Sequence, residues 1–168
     1  MNKEPIVNSD EQIARILHPE WVVDDEVQYS AFVLSNGETY LSVNRLVVDT
    51  YAEDINDFIN KHPNYKVDGN AYHRALLEVG DVRDMNVDIN QKVANLTVEV
   101  EPRDMHYKSH AGVFVRVDDK NVKGGQKVDI VAEDGDVISY DDIRQKVSFG
   151  LLQLATLEKV QFLKPGNV

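Results

Sequence analysis

The chain has 168 residues, of which 42% are hydrophobic and 28% charged, and it contains no cysteine. This composition is that of a globular domain with a core of its own, and the lack of cysteine excludes disulfides, thiol catalysis and cysteine-ligated metal. No apolar run is long enough for a membrane span, and the start of the chain lacks the apolar core of a secretory signal. We therefore expect a cytoplasmic protein that does not associate with membranes.

The net charge of −11 is concentrated in the first third of the chain. Residues 1–60 carry twelve acidic and three basic residues, residues 61–131 carry eleven of each, and residues 132–168 carry six acidic and four basic. An acidic surface repels phosphate backbones, so we expect no nucleic-acid binding. The acidic first third suits either solubility or a basic protein partner.

The first predicted element is a short helix that begins near Ser9. The segment from Ser9 to Gln12 has the pattern of a capping box. Ile13, Ile16 and Leu17 would then share one helix face, and Pro19 would end the helix.

A β-hairpin is predicted next, with strands over residues 28–34 and 39–48. Both segments are rich in strand-forming aromatic and β-branched residues. Asn36-Gly37 lies between them, and this pair is a strong hairpin signal because both positions tolerate positive φ.

A second helix follows Thr50. The segment from Thr50 to Glu53 is another capping box, the helix has one apolar stripe, and His62-Pro63 ends it. The stripe consists of Tyr51, Ile55, Phe58 and Ile59. Residues 64–70 are predicted to be a loop.

The rest of the chain predicts a meander of strands and a last helix. Strands are expected near residues 72–79, 82–89, 93–101, 111–117 and 128–130, with turns at 118–126 and at Gly135. The last helix begins near Ser139, buries Ile143, Val147, Leu151 and Leu154, and order ends at Pro165-Gly166. The pattern indicates a single α+β domain over residues 1–168, with a mainly antiparallel sheet packed by N-terminal and C-terminal helices.

Metal and cofactor motifs are weak. His106 and His110 have the spacing of two zinc ligands on a helix, but the second position of the motif is Tyr107 and the segment precedes a strand. The acidic turns at 118–121 and 134–136 do not satisfy the calcium-loop pattern, and Gly124-Gly125 indicates a turn. We expect no metal and no cofactor.

Catalytic motifs are also weak. The chain has no cysteine and no G-x-S-x-G sequence. Ser42, Ser109 and Ser148 are serines near other polar residues, and the adjacent pair Ser109-His110 does not let a histidine base reach a serine nucleophile. We therefore expect no catalytic residue.

A group of polar and aromatic residues is the best candidate for a binding site: His18, Trp21, Tyr40, Arg45 and His110. Arg45 follows core-facing positions of its strand, so a buried guanidinium would need a carboxylate, which residues 24–26 could supply. One interpretation is a structural link between Arg45 and such a carboxylate, with Trp21 as a core anchor. The other is a pocket in which Arg45 holds an anion and Trp21 or Tyr40 stacks on it.

The motifs of this region resemble those of an uncharacterised family of small bacterial proteins. They are His18-Pro19-x-Trp21, Ser30-Ala31-Phe32 and Leu41-Ser42-Val43-Asn44-Arg45, with Ser109-His110-Ala111-Gly112 later in the chain. The resemblance implies a bacterial cytosolic protein and no particular activity.

Two functions follow from these observations. The favoured one is a non-enzymatic binding or accessory protein, whose acidic first third recognises a basic protein partner. The alternative is a small-ligand-binding protein or enzyme with a cleft formed by His18, Tyr40, Arg45 and His110.

Overall fold

The computed structural model describes residues 7–85, 96–103, 106–117, 119–125, 129–131 and 137–161. The helices in these ranges are α1 (Tyr51–Lys61), α2 (Val79–Arg83) and α3 (Tyr140–Leu154), with short 3-10 turns at Pro19–Trp21, Tyr29–Phe32 and Pro63–Tyr65. The strands are β1 (Gln12–Leu17), β2 (Val22–Val23), β3 (Glu26–Val27), β4 (Leu41–Arg45), β5 (Lys66–Val67), β6 (Ala71–Glu78), β7 (Leu96–Pro102), β8 (His110–Val117), β9 (Lys120–Asn121), β10 (Asp129–Val131), β11 (Val137–Ser139) and β12 (Thr156–Gln161).

One antiparallel sheet of eight strands organises the fold. Its main order is β12-β6-β1-β4-β8-β7, with β5 added beside β6 and β9 beside β8. Two small antiparallel pairs, β2–β3 and β10–β11, lie outside it. The predicted α+β class with a mainly antiparallel sheet is therefore confirmed.

Helices cover both faces of this sheet. Ile13 and Leu17 of β1 belong to the main core, which also contains the buried side of α3. Ile16 of the same strand packs instead with Ile55 and Ile59 of α1. Because side chains of a strand alternate between faces, α1 and α3 lie on opposite sides. Within the described ranges, no helix combines the length and apolarity needed to cross a membrane.

The predicted first helix is wrong, because this segment is strand β1. Four of its six residues, namely Ile13, Ala14, Ile16 and Leu17, are buried. β1 is flanked by β4 and β6, and a strand covered on both faces has apolar residues on both sides. Their spacing then resembles the stripe of an amphipathic helix.

The predicted hairpin is also wrong, although its turn is real. Residues 29–32 form a 3-10 turn, and β4 pairs with β1 and β8. Gly37 has φ of 83°, and the Glu38 N–H donates to the Ser35 carbonyl at 3.1 Å. The Asn-Gly pair thus forms a tight turn that does not join two strands.

The later elements follow the prediction more closely. The helix after Thr50 (α1), the strands β6, β7 and β8, and the last helix (α3) are confirmed, although Leu154, which was predicted to be buried in α3, is exposed. The start of the predicted strand 82–89 is wrong because Val79–Arg83 is helical, and its remainder from residue 86 lies outside the described residues. Gly135 and Pro165-Gly166 also lie outside them. Strand β12 was not predicted.

Candidate functional site

The candidate site begins where strands β1 and β4 separate. The register of this pair ends at Ala14, whereas β1 stays paired with β6 as far as Leu17. Beyond that point the Arg15 side chain connects β1 to β4 and to the 3-10 turn at Tyr29–Phe32. Its Nη1 donates to the Ser42 carbonyl at 2.9 Å and its Nε to the Ala31 carbonyl at 2.5 Å.

Arg15 is a half-buried cation without a carboxylate partner among the described residues. Its guanidinium carbon lies 5.0 Å from the centroid of the Trp21 ring, and its Nη2 donates no hydrogen bond to a described residue. Burial lowers the pKa of Arg15 to about 10, with Tyr65 and Glu38 opposing the shift. The group therefore stays charged at neutral pH, and its unused donor remains available to an anion.

A pocket of about 570 Å³ opens beside this guanidinium. Small-molecule sites in proteins have volumes of about 300–1,000 Å³, so the pocket has the size of a ligand site. Its wall is formed by the side of β1, β4 and β8 that faces α1, by α1 with the following 3-10 turn, and by residues 106–107. The lining residues are Arg15, Ile16, Trp21, Ser42, Asn44, Asp57, Phe58, Lys61, His62, Tyr65, His106, Tyr107 and His110.

Among the described residues of this wall, the single carboxylate is Asp57, and it is already paired. The Tyr107 hydroxyl donates to its Oδ2 at 2.7 Å, and Lys61 Nζ lies 2.9 Å from the same oxygen. These two contacts lower the pKa of Asp57, while burial and then the hydrogen bond to Asp57 raise the pKa of Tyr107 to about 12. Asp57 therefore does not neutralise Arg15.

Ser42 and His110 form a second polar pair in the wall. Ser42 Oγ lies 2.6 Å from His110 Nε2. Burial lowers the pKa of His110, with the nearby charges of His106 and Arg103 acting in the same direction and a hydrogen bond to the Arg103 backbone opposing it. At neutral pH the imidazole is therefore uncharged and able to accept the serine proton.

A cluster of aromatic rings also borders the pocket. The His18 ring makes edge contacts with Trp21 at 6.1 Å and with Tyr65 at 5.3 Å between centroids. Phe58 contacts Tyr65 at 5.1 Å. These rings give the pocket an aromatic part beside its polar residues.

The structure brings together four of the five residues that the sequence singled out. Trp21 and His110 line the pocket, and His18 packs on its rim. The Tyr40 ring lies 5.9 Å from that of His110, just outside the lining.

Arg45 is the exception. It is 3% exposed and bonded to Glu11, so the expected buried link to a carboxylate exists, and this carboxylate is that of Glu11. Arg45 stands opposite Ile13, and five strand residues from there to His18 amount to roughly 16 Å. Arg45 therefore lies apart from His18, and its expected approach to Trp21 stays a prediction.

Sequence reasoning missed the residue on which the pocket depends. Arg15 interrupts an apolar run from Ile13 to Leu17, and in a helix such a residue would simply face solvent. In a strand covered on both sides the same residue must enter the protein. A charged residue inside an apolar run was therefore the sequence signal for Arg15, and it was missed because the segment was predicted to be a helix.

The histidines do not form a metal centre in the described part of the chain. No group of three or more histidine or acidic side chains there could hold an ion. His110 begins β8 and contacts Ser42, so the pair with His106 is not on a helix. The expectation that the protein holds no metal stays a prediction.

Comparison of the chain with protein-family models, with curated proteins and with solved structures finds no match. The resemblance of its short motifs to a bacterial family stays a prediction. The function of the chain is therefore inferred from the geometry of the pocket.

Proposed function

We propose that the protein binds a small anionic molecule with a flat ring in this pocket. The observation that carries the proposal is Arg15, a half-buried cation that lines a cavity of about 570 Å³ and has no carboxylate partner among the described residues. A cation without a direct ion-pair partner at a ligand-sized recess favours a charged guest, because the guest supplies a counter-charge in contact with it.

The remaining wall fits such a guest. A carboxylate or phosphate on Arg15 Nη2 would lie beside the polar side chains of Ser42 and Asn44. A ring attached to it would meet Trp21 and Tyr65, which both line the pocket and provide aromatic contact area. The proposal keeps the anion-pocket interpretation of the sequence and replaces Arg45 by Arg15 as the anchor.

The basic-partner interpretation has weaker support. Asp24, Asp25 and Glu26 are exposed at the tip of the β2–β3 pair, and the two aspartates have positive φ. An exposed acidic turn is an ordinary surface feature. Recognition of a basic protein therefore stays a prediction.

A thermal-shift series tests the proposed function. Benzoate, indole carboxylates and phenyl phosphates are compared with their uncharged amides or alcohols. A ligand present at a hundred times its Kd adds about 2.7 kcal/mol of stability, which raises the Tm of a domain of this size by about 5–10 °C. We expect at least one anion to produce such a shift and its neutral analogue to produce none.

Two arginine variants localise the effect. Arg15→Met removes the proposed anchor and should abolish the shift. Arg116→Met is the matched control, since Arg116 is half-buried and lies 4.6 Å from the Phe114 ring centroid, but pairs with Glu101 outside the pocket. A shift that Arg15→Met leaves intact, or no shift with any anion, would contradict the proposal.

A further inference from the structure

The Ser42–His110 pair has a geometry that simple anion binding does not require. We infer that Ser42 and His110 are the nucleophile and the general base of an esterase site, which cleaves an ester whose anionic group is held by Arg15. The inference rests on the proposed function, because Arg15 would position the substrate beside the serine.

Two paired strands fix the geometry of the dyad. Ser42 is exposed on β4, and His110 stands opposite Asn44 at the start of β8. The two side chains lie on one face of the sheet and meet at 2.6 Å. This distance is within the reach that a general base needs to take the proton of a nucleophile, and both groups line the same pocket.

The neighbouring groups supply the other parts of such a site. Arg15 Nη1 is bonded to the carbonyl of Ser42 itself, so the anchor and the nucleophile are adjacent. Asn44 donates one amide hydrogen to Ser109 Oγ at 3.0 Å and has a second. That second N–H is the donor we assign to the oxyanion, since donors aimed at developing charge provide much of the catalysis in acyl transfer.

The chemistry balances with water as the co-reactant. Ser42 Oγ attacks the ester carbonyl carbon and passes its proton to His110 Nε2. The carbon–oxygen bond to the alcohol breaks, and the alcohol leaves with that proton. Water then gives a proton to His110 and adds to the acyl carbon, the bond to Ser42 Oγ breaks, and the serine regains the proton as the carboxylic acid departs.

An uncharged alkyl fluorophosphonate tests the dyad directly. An activated serine forms a bond to phosphorus and fluoride leaves, so intact mass and peptide mapping locate the adduct. We expect one adduct per chain at Ser42, none in Ser42→Ala, and labelling slower by roughly 100-fold or more in His110→Gln. Ser30→Ala is the control, because Ser30 is exposed outside the pocket lining and its loss should change nothing.

The result is separable from that of the proposed function. Because the probe carries no charge, its reaction with Ser42 in the wild type does not require an anion to be held by Arg15, so labelling and the thermal shift given by anions are independent readouts. A protein that binds anions but leaves Ser42 unlabelled, or is labelled equally fast in His110→Gln, overturns the dyad and keeps the proposed function. Labelling at Ser42 without any anion binding supports the dyad and contradicts the Arg15 anchor.

Discussion

At the scale of single residues, the ion pair between Glu11 and Arg45 is the most deeply buried charged contact that the structure describes. The side chains are 5% and 4% exposed, and Arg45 Nε and Nη2 each lie 2.8 Å from a different Glu11 oxygen. The Asn8 N–H also donates to Glu11 at 2.7 Å. Removal of one partner leaves the other buried and unpaired, which is the costly event in such a pair.

The first prediction concerns this pair. Arg45→Met should lower the free energy of unfolding by about 3–5 kcal/mol, whereas the double variant Glu11→Leu with Arg45→Met should be close to the wild type, because it leaves no buried charge. Urea unfolding measures both. Arg116→Met, which breaks a half-exposed pair, should cost about 1 kcal/mol or less. A double variant as unstable as the single one would contradict the account.

The second prediction is a pH dependence. Burial alone would raise the pKa of Glu11, but its hydrogen bonds to Arg45 and Asn8 and the charges of Arg45 and Arg83 outweigh burial, and the pKa is lowered. The unfolded chain therefore takes up a proton at higher pH than the folded one. The contribution of Glu11 is complete above the ordinary glutamate pKa of about 4.3 and is lost as the pH falls through the lowered value.

Urea unfolding at a series of pH values measures this pH-dependent contribution of Glu11 to stability. Between about pH 5 and pH 3, where glutamates titrate, the wild type should lose more stability than Glu11→Gln. Glu158→Gln, from a half-exposed pair with Arg74, serves as the control. Parallel stability curves for the wild type and Glu11→Gln would show that this carboxylate does not contribute.

The sequence predicted the nature of this contact and missed its partner. The apolar positions Leu41 and Val43 indicate that Arg45 faces the core, and a buried guanidinium needs a carboxylate. Glu11 was assigned to a helix cap, so it was not considered. Which of several nearby acids pairs with an arginine depends on strand register, and short-range patterns do not contain that information.

At the scale of elements, the turn at Gly37 packs against the turn at Gly124 and does not join two strands of the expected hairpin. The Gly37 N–H donates to the Gly124 carbonyl at 2.8 Å, and the Gly124 N–H donates to the Glu38 carbonyl at 2.9 Å. The backbones approach so closely that a Cβ on Gly124 would lie 1.8 Å from the Ser35 carbonyl oxygen. The two turns therefore hold the segment before β4 against the segment after β9.

The third prediction follows from this approach. Gly124→Ala should destabilise the protein by about 1–3 kcal/mol or more, because backbone must move to admit the methyl group. Gly69→Ala is the control: Gly69 has φ of 84° with no atom within 4 Å of the added Cβ, so only backbone strain of about 1 kcal/mol applies. Urea unfolding in which Gly124→Ala costs no more than Gly69→Ala would contradict the close contact.

The elements that were predicted well have one buried side and one solvent-exposed side. Helix α1 buries Ile55 and Ile59 while its other side stays open, and α3 begins at Ser139, whose hydroxyl accepts the Asp142 N–H at 3.1 Å. Such one-sided patterns and caps are local. β1 is covered on both faces, so its pattern depends on neighbours distant in sequence, and the prediction failed there.

At the scale of the whole molecule, the cationic recess contrasts with the charge of the chain. The net charge is −11, yet the described pocket wall contains Arg15 and Lys61 against a single carboxylate, Asp57. A pocket lined by an excess of positive charge focuses the electric field and attracts small anions. The molecule as a whole repels anions, and this pocket is where we expect it to attract them.

The α+β class was predictable because the alternation of apolar and polar residues in strands and the apolar stripes of helices are local sequence patterns. The order of the sheet was not, because β1 lies between β4 and β6 and β12 returns beside β6. The pocket depends on that order, since Arg15 enters it where β1 parts from β4. The sequence therefore pointed to aromatic and histidine residues of this pocket, such as Trp21 and His110, and did not point to Arg15.

Quenching of tryptophan fluorescence tests the central claim most directly, because Trp21 is the only tryptophan and its ring lies 5.0 Å from the Arg15 guanidinium carbon. Stern–Volmer constants for iodide and caesium are compared at constant ionic strength, with acrylamide as the neutral reference. We expect iodide to quench more strongly than caesium, and Arg15→Met to reverse this order while Arg116→Met preserves it. Stronger quenching by caesium in the wild type would contradict an anion-attracting pocket at Arg15.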